Sequence, residues 1–445
     1  MSENSLEALG EMRKTHFSKD LSPDLVGQEV IIGGWVTRTR KLGGLVFIVL
    51  QDKFSTVQVT AKKGVVSDEI FEKAKSVGNQ WCLLIKGEVK AFKNGPHGVE
   101  LVPLEICILN QAIEQLPLDM TGKAMSDLDT RLNNRSLDLR HPRNQAIFRI
   151  QSVMLNEIRK YLVKNNYTEI MTPKIIGSAT EGGTELFPIK YFDKDAYLSQ
   201  SAQLYKERLC SVYENVFEIA PCYRAEKSFT NRHLCEIYQL DMELAFADYK
   251  DVLVAMEGLV QSVLQAIKVQ CEEDLKILDQ WENFEVPQIP FPRYTYSEVL
   301  KIIDEKCGIK IEFGEDISTE AYRKLDEILP GYYFITKWPM SVKPFYIHFD
   351  PENPELSDGF DLQKGWLELS SGGTRVHEKE LLIKNLEKQG LNPDAFKSHL
   401  QAFDYGMPPH AGMGFGIARW LQIITGVDQI KECVFYPRTP DRLDP

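Results

Sequence analysis

The run FEIAPCYRAEKSFTNRHLCEIYQLDMELAF, residues 217–246, holds two β-type stretches on either side of a polar loop. Such a pattern reads as a hairpin. Three of its side chains can do chemistry. Arg224 presents a guanidinium that meets phosphate oxygens in pairs and stabilises charge developing there. Glu226 can accept from an exocyclic amine, and His233 can pack on a purine. Taken singly, residues of these types are more often surface ion pairs of small energetic weight. Their neighbours along the chain decide the matter.

Upstream lie the strand candidates YTEIMTPKII (167–176) and LFPIKYF (186–192). Before them a helix is expected over about Asn144–Lys164, with Ile147, Ile150, Val153, Met154, Ile158 and Leu162 at helical spacing. A further helical stretch is expected from about Asp248 to Gln280. Strands and helices do not alternate as βαβ units, so a mainly antiparallel sheet flanked by helices is expected. No G-x-x-x-x-G-K-[ST] or G-x-G-x-x-G run occurs, so any nucleotide is held by another device.

Two downstream clusters supply one. In GFDLQKGWLELSSGGTRVHE (359–378), Asp361 and Glu368 are seven apart. Strand alternation would put them on opposite faces unless a turn at Lys364–Gly365 brings them together. Two carboxylates with the Ser371 hydroxyl would suit hydrated Mg²⁺. Arg375 follows a Ser-Ser-Gly-Gly turn; the alternative is an edge strand with solvated charges. In PPHAGMGFGIARWLQI (408–423), glycines lead into an amphipathic helix with Arg419 near its start, where a cation and helix amides can hold a terminal phosphate.

The first quarter of the chain differs. From about Glu29 to Asn110, five short β-type runs with the amphipathic insert SDEIFEKAKSVG suggest a small closed barrel of the OB type. The pattern then weakens, and 111–141 reads as a hinge. Residues 1–110 carry 14 Lys+Arg and 13 Asp+Glu within a chain of net charge −12, so this quarter is the better candidate for touching a polyanion. Charge fluctuation on a solvated surface is the plainer alternative. The remaining composition, 445 residues with 43% hydrophobic and 26% charged, is that of a globular protein of two or three domains. Eight scattered cysteines without a CxxC pair argue against a disulfide framework or zinc ribbon. The polar start and the lack of a long apolar run point to a cytoplasmic protein with no membrane partner.

Together and in this order, the helix with YTEIMTPKII and Pro173, the Arg224 hairpin and GFGIAR with Arg419 resemble the three motifs of class II aminoacyl-tRNA synthetases. The barrel ahead of them resembles the class IIb subgroup of aspartyl, asparaginyl and lysyl enzymes. The resemblance implies an α+β fold: an OB-fold anticodon-binding domain over 1–110, the hinge over 111–141 and a dimerising catalytic domain over 142–445. It also implies a homodimer that uses ATP and Mg²⁺. Arg224 and Arg419 would be the catalytic pair. Glu226, Arg232, His233 and Glu368 would join them on ATP, with Asp361, Glu368 and Ser371 on the metal.

Within the subgroup, ATEGGTELFPIKYFDKDAYLSQSAQLYKE (179–207) resembles the aspartyl enzymes of archaeal and eukaryotic type. Aspartate ends in a carboxylate, so its pocket needs fixed positive charge. The resemblance assigns Lys206 and Arg375 to that task, with Gln203, Asp241, Ser371 and Glu181 also on the substrate and Ser178 beside Glu181 in a lid loop. Lys206, Asp241 and the RVH run at 375–377 favour the aspartyl reading over the asparaginyl one. An amidating asparagine-synthetase-like relative is the other alternative; such relatives lack the barrel. On the barrel, Arg38, with Arg40 and Lys41 in the first loop, would meet phosphates. Phe47 would stack on an anticodon base and Gln58 would read the central uridine; Phe47 as barrel core is the rival. The partner is then tRNA(Asp), and whether tRNA(Asn) is charged as well is left open. There are three departures from the family pattern. Ile237 replaces an aromatic beside the adenine, Ala418 an acidic residue before Arg419, and two serines, 370 and 371, stand where one is usual.

Overall fold

The computed structural model describes residues 6–121, 124–177, 186–225, 227 and 233–445. Two compact units make up the chain, Met1–His141 and Pro142–Pro445. In the first, strands β1 (Glu29–Leu42), β2 (Leu45–Gln51), β3 (Thr56–Lys62), β4 (Cys82–Ala91) and β5 (Val99–Asn110) close a barrel in the order β1-β2-β3-β5-β4. The pairs are antiparallel except β3/β5, the parallel pair that closes the ring. Alternation sets the faces: Val46, Ile48, Leu50, Val57, Val59 and Ala61 fill the interior, and the residues between them face out. A helix, Asp68–Ser76, starts where the Ser67 side chain accepts from the Ile70 amide, and buries Phe71 and Ala74 in the barrel core.

The segment 111–141 clusters with the barrel. It carries two short helices, Leu128–Asn133 and Arg135–Asp138. Its order has an electrostatic cause, since Arg131 Nε and Arg135 Nη1 reach the buried Asp138 at 2.9 and 2.6 Å.

A second buried carboxylate ties the N-terminal segment to the barrel. Asp52 accepts from Ser18 Oγ (2.6 Å), the Ser18 amide (2.8 Å), Lys14 Nζ (2.9 Å) and the Phe54 amide (2.9 Å). Burial works to raise its pKa, but the Ser18 and Lys14 hydrogen bonds outweigh it and bring the value from the usual 3.8 down to about 2. A depressed carboxylate stabilises the fold above its unfolded pKa and loses that contribution as pH falls through the folded one. Asp52→Asn is therefore expected to destabilise the first unit by about 2 kcal/mol at neutral pH, with the difference from wild type vanishing toward about pH 2. Urea unfolding across that range measures it.

The second unit is built from β6 (Thr168–Glu169), β7 (Ile175–Ile176), β8 (Pro188–Tyr191), β9 (Lys194–Leu198), β10 (Asn215–Tyr223), β11 (Glu236–Ala245), β12 (Arg293–Thr295), β13 (Tyr332–Thr336), β14 (Gly359–Lys364), β15 (Leu367–Thr374) and β16 (His410–Gly416). Eight of these form one sheet in the order β12-β13-β14-β15-β16-β11-β10-β6, and β7-β9-β8 form a small one. The large sheet is antiparallel except at its two edge pairs, β12/β13 and β10/β6. One face is apolar, with Leu240, Met242 and Leu244 from β11 beside Ala411, Met413 and Phe415 from β16.

Two helices belong to the same apolar core. Pro142–Lys164 begins on a proline, whose fixed φ suits the first helical position, and buries Ile147, Ile150, Met154, Ile158 and Leu162. Tyr249–Gln270 starts at a capping box formed by Asp248 and Asp251. Its length and apolar composition are those of a membrane span, although no uninterrupted apolar run reaches that length in the sequence. Val252, Met256, Leu259, Val260, Val263 and Ile267 are all buried in this core.

Candidate active site

The other face of the large sheet is polar, and alternate glycines make room on it. Cross-strand pairing runs Asp241↔Gly414↔Ser371↔Asp361 through β11, β16, β15 and β14, and Glu243↔Gly412↔Gly373↔Gly359 one row along. Side chains on β11 thus lie over strand positions that have no Cβ. A methyl at 412 would overlap Glu243 Oε2 and the Met242 carbonyl. Gly412→Ala is expected to cost about 1–3 kcal/mol, because the backbone on one side of the overlap cannot yield. Thermal unfolding of the variant checks this.

A cavity of about 260 Å³ opens above these rows. At one end lies a buried charge cluster. The helix Gln203–Tyr213 places Gln203, Lys206 and Glu207 on one helical face. Lys206 Nζ donates to Asp241 Oδ1 at 2.7 Å and to the Met413 carbonyl at 2.8 Å, and lies 3.6 Å from Glu243 Oε2. Arg375 grips Glu243 in two-pronged fashion, Nε–Oε1 at 2.8 Å and Nη2–Oε2 at 3.3 Å. Burial works to lower the Arg375 pKa, but Glu243 overrides it and holds the guanidinium firmly charged.

Gln203, Lys206, Asp241, Ser371 and Arg375 all line the cavity, so five of the expected substrate contacts meet there. The expected fixed positive charge is present but balanced. Lys206 and Arg375 stand against Asp241 and Glu243, a formal balance forced by the cost of burying unpaired charge. What survives is donor capacity. Two of the ammonium's three N–H donors are spent, and two of the guanidinium's five. The Lys206 side chain is 2% exposed.

The other end gathers Arg224, His233, Lys343, Glu368, Ser371 and Arg419. Arg224 follows directly on β10, its amide bonded to the Cys235 carbonyl across the hairpin. Arg419 is the third residue of the helix Ile417–Thr425, and its Nη1 donates to the Glu368 carbonyl at 3.0 Å. The turn at 365–366 puts Glu368 opposite Gln363, hence on the face of Asp361. Leu369 is an extra residue in β15, and this bulge brings Ser371, three positions after Glu368, back to the same face opposite Asp361. Ser370 instead donates to the Gly414 carbonyl at 2.8 Å.

Burial raises the Glu368 pKa and Asp361 raises it further, against the pull of Arg419, Lys343 and Arg224. Asp361 Oδ1 accepts from Lys343 Nζ at 3.0 Å. Among the described residues, no group of three or more His, Cys, Asp or Glu has metal-binding geometry. Glu368 and Ser371 line the cavity and offer oxygen donors of the kind a hydrated divalent cation takes, whereas Asp361, bonded to Lys343, is not among the lining residues although its charge reaches Glu368.

Glu181, Glu226 and Arg232, with Ser178 of the lid loop, lie outside the described residues. Sequence reasoning missed Glu243, Glu207, Lys343 and Tyr346, the last a cavity-lining residue whose ring lies 5.3 Å from the Arg375 guanidinium. Glu243 was within reach, two residues beyond Asp241 on the same strand face. Lys343 and Tyr346 sit in an irregular segment with no periodicity to flag them.

On the barrel, Arg38 pairs with Val49 and Val49 with Gln58, while Arg40 pairs with Phe47 and Phe47 with Thr60. All of them therefore face outward. Phe47 is half-buried and absent from the core, so the core reading of it fails. Arg38, Arg40 and Lys41 lie in strand β1 rather than in a loop, because the hairpin turns only at Gly43–Gly44. Gln58 Nε2 donates to Glu100 Oε2 at 2.8 Å.

Residues 127–440 match the family "tRNA synthetases class II (D, K and N)", and residues 30–109 match "OB-fold nucleic acid binding domain". The Aspartate--tRNA(Asp/Asn) ligase of Methanocaldococcus jannaschii is 46% identical over 97% of this chain and 98% of its own length. The same-named protein of Saccharolobus solfataricus is 45% identical over 98% and 100%. Among solved structures, asparaginyl-tRNA synthetase from Pyrococcus horikoshii complexed with asparaginyl-adenylate superposes with a TM-score of 0.92 at 32% identity, covering 98% of this chain and 100% of that one. Aspartyl tRNA synthetase from Entamoeba histolytica gives 0.84 at 29% identity, covering 97% and 92%.

Proposed function

This chain belongs to the class II tRNA synthetases (D, K and N), and on that premise we propose that it is an aspartate–tRNA ligase. It joins L-aspartate to ATP as an adenylate and passes the aspartyl group to the 3′ end of tRNA(Asp). The observation that carries the reading is the buried Lys206 beside Arg375 at one end of the cavity. A carboxylate accepts hydrogen bonds only, so it satisfies the donors these two cations have left. An asparagine amide would turn an N–H toward them or leave a donor unmet.

The same reading orders the chemistry. The aspartate α-carboxylate attacks the α-phosphorus in line and pyrophosphate leaves. No protein nucleophile is needed, so the work is positioning and charge stabilisation. Arg224 faces the charge developing at the α-phosphate, Arg419 and Lys343 the leaving phosphates, and His233 with Ile237 the adenine. Asp361, Glu368 and Ser371 would hold Mg²⁺, which when bound supplies countercharge to the phosphate oxygens. Glu226, Arg232 and Glu181 keep the roles the family resemblance gives them on nucleotide and amino acid. The tRNA terminal hydroxyl then attacks the mixed anhydride. On the barrel, Phe47 offers a stacking platform and Gln58 a hydrogen-bonding edge to the anticodon, with Arg38 near its phosphates. A homodimer through the Pro142–Lys164 helix would cover Val163 and the neighbouring Met171, 58% and 93% exposed here.

The structural likeness to an asparaginyl enzyme favours a second reading, asparagine activation. Backbone likeness does not reach the side chain that separates two isosteric amino acids, and Lys206 argues for aspartate. Charging of purified tRNA(Asp) and tRNA(Asn) with labelled aspartate tests the proposal. Aspartyl-tRNA(Asp) is expected, and the tRNA(Asn) arm shows whether the activity extends to both, as the names of the relatives state for those proteins. Failure to charge either tRNA overturns it.

A further inference from the structure

Behind the cavity wall lies a group that the chemistry above does not use. Glu207 is fully buried, next to Lys206 on the helix Gln203–Tyr213. Its Oε1 accepts from the Gln203 side-chain amide. Its Oε2 lies 3.4 Å from His399 Nε2 and 3.7 Å from His410 Nε2, both imidazoles being buried as well. These three atoms have no hydrogen-bond partner among the described residues, and both imidazole nitrogens lie within 4 Å of the carboxylate oxygen. His410 Nδ1 is bonded to the Pro408 carbonyl at 2.8 Å, which directs Nε2 toward the carboxylate.

We propose that Glu207, braced by His399 and His410, is a positioning residue for the amino acid substrate, fixing the Gln203 amide so that its carbonyl oxygen is what it offers to the cavity. Hydrogen-bond polarity decides which way the amide faces. A carboxylate can only accept, so the Gln203 atom touching Glu207 is the NH₂. Gln203 lines the cavity, and its one remaining polar atom there is an acceptor, suited to a substrate α-ammonium. A protonated Glu207 would let the amide turn over and point a donor at that ammonium.

The histidines keep the carboxylate charged. Burial pushes the Glu207 pKa up, and the two imidazoles pull it well below the ordinary carboxylate range. The charged or titratable groups facing the pair come from several elements: Arg375 and His377 after β15, Glu243 from β11, and Lys206 and Cys210 from the helix that carries Glu207. The inference rests on the reading that this cavity activates an amino acid.

The test is ATP–pyrophosphate exchange by the full chain with Glu207→Leu, Glu207→Gln and the double variant His399→Gln/His410→Gln. Glu207→Leu is expected to raise KM for the amino acid by about 10- to 100-fold while KM for ATP stays within about 2-fold. Glu207→Gln, which like the protonated acid can donate as well as accept, raises KM for the amino acid by a smaller factor than Glu207→Leu and does so at every pH. In the double histidine variant, burial wins and Glu207 takes a proton as pH falls. KM for the amino acid then climbs between about pH 8 and about pH 6, which wild type does not show. An unchanged KM in Glu207→Leu overturns the proposal, as does a loss that falls equally on kcat and both KM values. If Glu207→Leu does not fold, a double histidine variant without the pH-dependent KM overturns it instead. Exchange driven by asparagine rather than aspartate would overturn the proposed function alone. The same comparison run with asparagine still decides the role of Glu207, since both amino acids carry the α-ammonium.

Discussion

Arg224→Ala is expected to lower aspartate-dependent pyrophosphate exchange by about 1,000-fold or more, with the loss in kcat and little change in KM for aspartate. Arg224 lines the cavity at the end away from Lys206, close enough to Glu368 to influence its titration. Its side chain stands outside the apolar core cluster, so folding and the proposed subunit association should be unaffected. The reaction has no covalent enzyme intermediate to share the barrier. Removing the cation that faces the in-line transfer therefore falls on the transition state rather than on the ground state. Single-turnover adenylate formation, with sedimentation of the same sample, checks both halves. Near-wild-type exchange would remove the role assigned to Arg224.

The second large effect is expected from Lys206→Met, which keeps most of the side-chain volume and deletes the ammonium. Asp241 and Glu243 would then share one cation, Arg375, in a site where Lys206, Asp241 and Glu243 are each at most 2% exposed. Breaking a buried pair from one side costs about 3–5 kcal/mol, so the melting temperature should fall by several degrees. The loss of function should be larger than the loss of stability suggests. A site built to satisfy a substrate's polar group by hydrogen bonds typically loses about 10⁴-fold or more when that match is gone, and kcat/KM for aspartate should fall on that order. Asparagine, for which the ammonium is a mismatch, should lose far less. A variant equally impaired toward both amino acids would mean that Lys206 supports the fold without reading the substrate.

The barrel was legible in the sequence because alternation, turn residues and strand length all agree between Glu29 and Asn110. The long helix was legible for a similar reason, its apolar spacing marking one buried stripe; its start moved only from Asn144 to Pro142. The metal face was half legible. A turn between Asp361 and Glu368 could be anticipated, whereas the bulge at Leu369 that aligns Ser371 with them could not, because a single extra residue leaves no compositional trace.

The charge balance at the amino acid end was legible only in part. Fixed positive charge from Lys206 and Arg375 is legible, but its countercharge is not, although Glu243 stands two residues after Asp241 on the same strand face. Buried cations without countercharge are too costly to persist, so each implies an acidic partner elsewhere in the chain. The Glu207–His399–His410 group spans three distant segments, and only the fold brings it together.

The central claim is that leftover donors on Lys206 and Arg375, rather than net positive charge, select the substrate. Pyrophosphate exchange by the wild-type protein, with aspartate and asparagine measured side by side, tests it most directly. The account predicts exchange with aspartate at a kcat/KM about 1,000-fold or more above that for asparagine. Asparagine supporting exchange as well as aspartate, or in its place, would contradict it.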